Sequence, residues 1–319
     1  MSTLRAPLAF LLMAGLLLAV GFGQSWSVAL TILNMCLVSA IMALGVNIQW
    51  GYAGLFNAGV MAFTALGGLA AVLVSHPPVR EAWAAGGAGL LISVLILVVL
   101  VLLLRWIVKR FAPGWQRKLL LGVCLLSGYV LLNHFYAEAR RAIEAVDPSA
   151  SGFLGGLGLP IMLSWPLGGL LAAAVAWLIG KLTLGLRSDY LAIATLGISE
   201  IVIAVLKNED WLARGVKNVS GLDRPVPMET DLQNSGWFIS LVESLNGKEL
   251  SLIADSAARG AMLDSLVVEG SGIAVKLCYA GLFSAVLLLV LGLSIRALNS
   301  PWGRMMRAIR DNEEAAGAM

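Results

Sequence analysis

Eight apolar runs separated by short polar stretches set the pattern of this chain. They are Leu8 to Phe22, Val28 to Ile48, a third ending near Val74, Gly89 to Trp106, Leu119 to Phe135, Ile161 to Gly180, Tyr190 to Leu206 and Ile273 to Ile295. Several approach or exceed the ~18 residues that a spanning helix needs. The pattern predicts an all-α fold, a polytopic transmembrane helical bundle of about eight spans. Leu8 to Phe22 is expected to be a retained first helix, although Gly21-Phe-Gly23 is a weak small-x-small site of the kind that follows a secretory signal. Lys207 to Gly272 is polar by comparison, with Pro225 and Pro227 and no spanning stretch. Within it, Ser251 to Val268 suits an amphipathic helix.

After the eighth run the character changes again. Ser300 to Met319 sets Arg, Asp and Glu around a few Met, Ala and Ile. Ser300 suits a helix cap and Pro301 a first turn. Arg307 with Asp311, and Arg310 with Glu314, are spaced as i,i+4 pairs, while Met305 and Ile309 share another face. This reads as a short cytoplasmic helix shown to a soluble partner.

Composition strengthens the membrane reading. Hydrophobic residues are 59% of the 319 and charged residues 13%, where a soluble chain carries roughly a quarter. Lys and Arg in short loops set orientation. Arg105, Lys109, Arg110, Arg117 and Lys118 follow the fourth run, Lys181 and Arg187 the sixth, and Arg296, Arg304, Arg307 and Arg310 the eighth. Arg80, Arg140 and Arg141 lie on the other side. One scheme satisfies this: eight crossings, both termini cytoplasmic, and residues 207–272 as an extracytoplasmic insert. The net charge of +3 gives no sign of nucleic acid, and none is expected as a partner.

Catalytic patterns are missing from the sequence. Cys36, Cys124 and Cys278 lie singly in apolar runs, and His76 and His134 stand alone, so neither a disulfide framework nor a metal centre is expected. No Gly-x-x-x-x-Gly-Lys-Ser/Thr phosphate cradle is present. The chain reads as a non-enzyme without a cofactor of its own, and any ATP that drives it is bound by another subunit.

Two stretches carry candidate function. In Gly51 to Gly59, the residues Gly51, Gly54, Asn57 and Gly59 stand where a continuous helix is expected. A glycine costs about 1 kcal/mol in a helix interior, and unwound backbone at membrane depth needs protein or a water-filled cavity around it. The stretch is either a broken helix lining a passage or a tight turn between packed helices. In the seventh run, Glu200 is the most deeply placed ionisable residue, with Thr195 and Ser199 nearby. A charge at the bilayer centre costs at least ~2.5–3.5 kcal/mol, so Glu200 is expected to face the bundle or a cavity, either bordering a substrate path or joining helices. The paired glycines Gly86-Gly87 and Gly155-Gly156 read as flexible helix entries.

These residues also resemble a known family. Trp50-Gly-Tyr-Ala-Gly54 with Asn57-Ala-Gly59 is similar to a signature of ABC-importer permeases for branched-chain amino acids and urea. Arg187-Ser-Asp-Tyr-Leu-Ala-Ile-Ala-Thr-Leu-Gly-Ile-Ser-Glu200 resembles their second signature, and Asn218-Val-Ser-Gly-Leu222 the turn after it. The tail resembles their cytoplasmic coupling segment through Gly303, Arg304, Arg307, Arg310, Glu313, Glu314, Ala315 and Ala316. The resemblance implies an inner-membrane subunit that pairs with a homologous permease and docks two ATP-binding subunits. An extracytoplasmic solute-binding protein would deliver the small-molecule substrate, an amino acid or an amide such as urea. Further helices follow the coupling loop in this family, so the chain is expected to be C-terminally truncated. Two other readings compete: a proton-coupled secondary transporter of a small polar solute, suggested by Glu200 and the glycine-broken helix, and a membrane scaffold whose tail recruits a cytosolic protein.

Overall fold

The computed structural model describes residues 5–147, 152–186 and 188–312, and every regular element among them is helical. All eight apolar runs form helices: α1 (Arg5–Gly23), α2 (Trp26–Asn47), α3 (Val60–Ser75), α4 (Ala88–Arg110), α5 (Trp115–Glu144), α6 (Ser164–Thr183), α7 (Ser188–Asn208) and α8 (Ser256–Leu298). With their flanking turns, six are long and apolar enough to cross a membrane, fewer than the roughly eight that the hydropathy pattern predicts. The two shorter ones are the apolar part of α1, Pro7–Gly23, and α3. Sixteen residues cover only about 24 Å, against a hydrocarbon core of ~30 Å.

The helices fall into two compact units. One takes the described residues up to Asn57 and those from Arg224 onward. Here α2 opens on Ser25, whose hydroxyl accepts the Val28 N–H at 3.2 Å, and it lies along both α1 and α8. Polar groups join α2 to α8 where apolar packing alone gives little register. Asn34 donates to the Lys276 carbonyl at 3.0 Å, and Lys276 Nζ donates to the Ser27 carbonyl at 3.1 Å and hydroxyl at 2.6 Å.

The 43 residues of α8 make a rod roughly 65 Å long, about twice the hydrocarbon thickness. Asp255 caps its start by accepting the Ala257 N–H. The amphipathic helix expected over Ser251 to Val268 therefore begins at Ser256, and it runs without a break into the eighth apolar run. Gly270-Ser271-Gly272 does not interrupt it, because Ser271 is fully buried and accepts a hydrogen bond from Gln233 at 2.9 Å. Short helices Glu229–Gln233 and Gly236–Leu245 cover this first part, with Leu232, Phe238 and Val242 packed on Val267 and Val275. Phe238 and Val242 stand one turn apart, which puts both on the buried face.

The second unit is Ala58–Asp223. Its α4 and α5 form a hairpin, and α3 packs on α6 through Ala70 and Gly168, small residues that let the helices approach. The glycine pairs differ from the expected flexible entries. Gly86 and Gly87 are buried within a π-helical turn, Trp83–Gly87, and Gly86 sits against Ala139 and Ile143 of α5. Residues 157–159 cap α3: the N–H groups of Leu157, Leu159 and Gly158 donate to the carbonyls of Leu73, Val74 and His76 at 2.9–3.0 Å. Those carbonyls are the orphan acceptors of a helix C-terminus, so this glycine segment serves as a fixed cap. Beyond α7, Glu209 accepts from the Tyr136 hydroxyl and from Trp211 Nε1, the latter at 2.8 Å.

Candidate functional site

The sequence-predicted residues gather into two clusters, one in each unit. The first surrounds the end of α2. There the helix widens into a π-helical turn, Ile48–Tyr52, in which Ala53, Gly54 and Leu55 donate to the carbonyls of Ile48, Trp50 and Gln49. Gly54 has φ +71°, a left-handed conformation that favours glycine. Residues 54–59 then run without helix until α3. The stretch is thus an interruption of several residues, longer than a tight turn.

A short helix, α9 (Pro301–Asp311), packs on this turn. Ser300 holds the N-cap position and Pro301 the first turn, as the sequence suggests, but the Ser300 hydroxyl points back and donates to the Ala297 carbonyl at 2.6 Å. The corner between α8 and α9 is tight: a Cβ on the buried Gly303 would lie 2.1 Å from the Leu298 carbonyl oxygen. Arg307 spans the corner, donating from Nη2 to Leu298 O at 3.1 Å and from Nε to Gly303 O at 3.2 Å. Arg310 Nη1 donates to the Gly51 carbonyl at 3.0 Å, while Nε and Nη2 both reach Asp311 Oδ1.

This arrangement corrects the expected pairing. Asp311 accepts from Arg310 rather than from Arg307, because Arg307 is turned toward the end of α8, where backbone carbonyls lack helical partners. Arg304 is exposed. Glu313, Glu314, Ala315 and Ala316 lie outside the described residues, as does Arg187. On the far side of α9, Trp302 and Met305 are 47% and 52% exposed, an apolar patch beside the arginines.

The second cluster joins α3 and α7. Thr195 is 4% exposed, and its hydroxyl accepts the Ala58 N–H at 3.2 Å while donating to Ala192 O at 3.0 Å. Ala58 precedes Gly59, the N-cap of α3, which has no capping side chain of its own. Thr195 therefore ties the residue just before the α3 cap to α7, and it does so outside the N–H groups that a Ser or Asp at the cap would accept from. Ser199, one turn on, is 2% exposed, and Gly59 is buried. Glu200 is exposed on this chain rather than turned into the bundle, which leaves the cavity of the two expected placements. It follows Ser199 by one residue, hence by about 100° around the helix, away from the face that packs on α3. Asn57 is half-buried at the end of the interruption.

Some of the polar joints involve residues that the sequence does not single out. Asn34 and Lys276 were legible in principle, as polar residues within apolar runs are rare and engaged. The Leu298 and Gly51 carbonyls carry no sequence signal, since every residue has one.

Comparison with known proteins follows the same residues. The family model described as "Branched-chain amino acid transport system / permease component" matches residues 117–319, which takes in α5 to α9 and leaves Gly51–Gly59 outside. The high-affinity branched-chain amino acid transport system permease protein LivM of Escherichia coli strain K12 is 30% identical over 195 residues, 60% of this chain and 36% of that protein. Its counterpart of the same name in Salmonella typhimurium strain LT2 is 33% identical over 113 residues, 34% of this chain and 22% of that protein. The matched portions thus span about a third of the first relative's length and about a fifth of the second's. No solved structure matches the chain. A match over most of the chain, on a scaffold of six helices fit to cross a bilayer, identifies a multi-pass inner-membrane protein that belongs to the family of branched-chain amino acid transport permease components.

Proposed function

We propose that this chain is the permease subunit of an ATP-driven ABC importer for branched-chain or other small amino acids, or amides such as urea. It pairs with a homologous permease, receives substrate from an extracytoplasmic solute-binding protein, and couples to two ATP-binding subunits that hold all of the ATP. Both described termini face the cytoplasm in this reading, and residues 207–272 lie outside. The observation that supports it most, beside the family match, is α9: a short helix fixed at the end of α8, with Trp302 and Met305 turned outward as a patch for a soluble partner. Gly51, Gly54, Asn57 and Gly59, with Thr195, Ser199 and Glu200, border the path. Gly303, Arg304, Arg307, Arg310 and the residues Glu313 to Ala316 couple it to the ATPases.

The test is uptake of radiolabelled leucine by the complete transporter in proteoliposomes. Uptake is expected to require ATP on the ATPase side and to survive collapse of the proton gradient. Uptake that persists without ATP and disappears with the gradient overturns the proposal. One observation favours proton coupling instead: the exposed carboxylate of Glu200 on a spanning helix. Glu200→Gln with unchanged transport and an unchanged pH profile removes that second reading.

A further inference from the structure

Two arginines one turn apart on α9 reach the ends of two different membrane helices. Arg307 donates to Leu298 O, at the C-terminus of α8, and Arg310 donates to Gly51 O, at the C-terminal turn of α2. Helix C-termini present carbonyls without intrahelical partners and the negative end of the helix dipole, so a guanidinium is well suited to both. Polar joints between Ser27, Asn34 and Lys276 set the start of α2 beside the middle of α8. The two helices therefore run in the same direction, and their C-terminal ends meet under one short helix.

We infer that α9 is a clasp across the ends of α2 and α8, and that Arg310 is the positioning residue through which a displacement of α9 reaches the Gly51–Gly59 interruption. This rests on the coupling role proposed above for α9. Three features select a clasp over a loose surface contact. Gly303 leaves no room for a Cβ against Leu298 O, so the α8–α9 corner is closely packed. A Cβ on Gly54 would lie 2.7 Å from Arg310 Cγ, so the aliphatic part of Arg310 rests on the turn as well as its guanidinium. Asp311 holds the same guanidinium through Nε and Nη2, which leaves Nη1 directed at Gly51. Lysine offers a single ammonium in place of the rigid planar fork that Arg310 divides between Asp311 and the Gly51 carbonyl.

Two measurements test the inference in the assembled transporter. In the first, Leu55→Cys is introduced after Cys36, Cys124 and Cys278 are replaced by alanine, and its reaction with a maleimide is timed with and without Arg310→Ala. Release of the turn is expected to raise the labelling rate about tenfold, the lower end of the scale of a lost hydrogen bond to a charged group. An unchanged rate overturns the contact, whatever the transporter carries or uses for energy. The second compares leucine uptake with ATP hydrolysis in Arg310→Ala, Arg310→Lys and Gly54→Ala. Arg310→Ala is expected to retain its ATPase subunits and their hydrolysis while uptake per ATP falls at least about fivefold. Arg310→Lys recovers part of the loss, and Gly54→Ala, which displaces the side chain, reproduces it. Loss of ATPase binding in Arg310→Ala makes the residue a docking contact and overturns the clasp, as does an unchanged ratio. Failure of the unsubstituted transporter to use ATP, with the labelling change intact, rejects the proposed function and leaves the clasp standing.

Discussion

Thr195 shows how one side chain supports a site without touching a substrate. Its hydroxyl accepts the amide hydrogen of Ala58, the residue just before the glycine that opens α3. Thr195→Val keeps the shape and removes the acceptor, leaving the Ala58 N–H unsatisfied at a cost of about 1–3 kcal/mol. The expected result is a lower unfolding temperature in detergent, largely restored by Thr195→Ser. A Thr195→Val protein as stable as the original removes the tie between α7 and Ala58. Gly303→Ala makes a second case, because its methyl group would overlap Leu298 O. Strain at that corner is expected to lower uptake per ATP while leaving insertion unchanged, as measured in proteoliposomes. Residue identity was legible where physical cost made it so. Glycines inside an apolar run and a carboxylate deep in one both stood out as unusual. Which way Glu200 faces was not legible, because a one-residue offset from Ser199 moves a side chain about 100° around a helix.

At the scale of elements, periodicity and length located all eight helices, most with ends within a few residues of those observed, although α5 continues well past Phe135 to Glu144. They missed the continuity of α8. The polar first third of that helix reads as a separate amphipathic helix, and its packing under Leu232, Phe238 and Val242 accompanies its unbroken run into the eighth apolar stretch. Ser271 sits at the centre of that packing, fully buried against Gln233. Ser271→Leu adds volume where none is free and removes the partner of Gln233, a change expected to cost about 1–3 kcal/mol. Limited proteolysis checks this: cleavage in residues 229–251 should become markedly faster, with cleavage elsewhere unaffected. The glycine segment that caps α3 escaped for a related reason. Its function depends on carbonyls some eighty residues earlier in the chain, and local sequence shows only flexibility.

At the scale of the whole molecule, the class of protein was the most legible property, since composition and run length dictate it directly. Orientation rests on Lys and Arg counts, and cysteine accessibility provides its measurement. Single cysteines replacing Leu55 and Asn299, near the ends of α2 and α8, are expected to react with an impermeant maleimide only when the cytoplasmic face is open. One replacing Ser235 is expected to react from the opposite side. Labelling of Leu55→Cys and Asn299→Cys from opposite faces contradicts the parallel course of the two helices.

The unbroken length of α8 has a mechanical consequence. A stiff rod of roughly 65 Å that tilts by about 5° around its midpoint carries each end roughly 3 Å, in opposite directions. The cap built from Leu232, Phe238 and Val242 grips the rod at Val267 and Val275, on the near side of its midpoint, and α9 is fixed at its far end, so one continuous helix carries a displacement of either to the other. By thermodynamic reciprocity, whatever favours one tilt from the cap makes the same tilt easier to reach from α9, and by the same free energy.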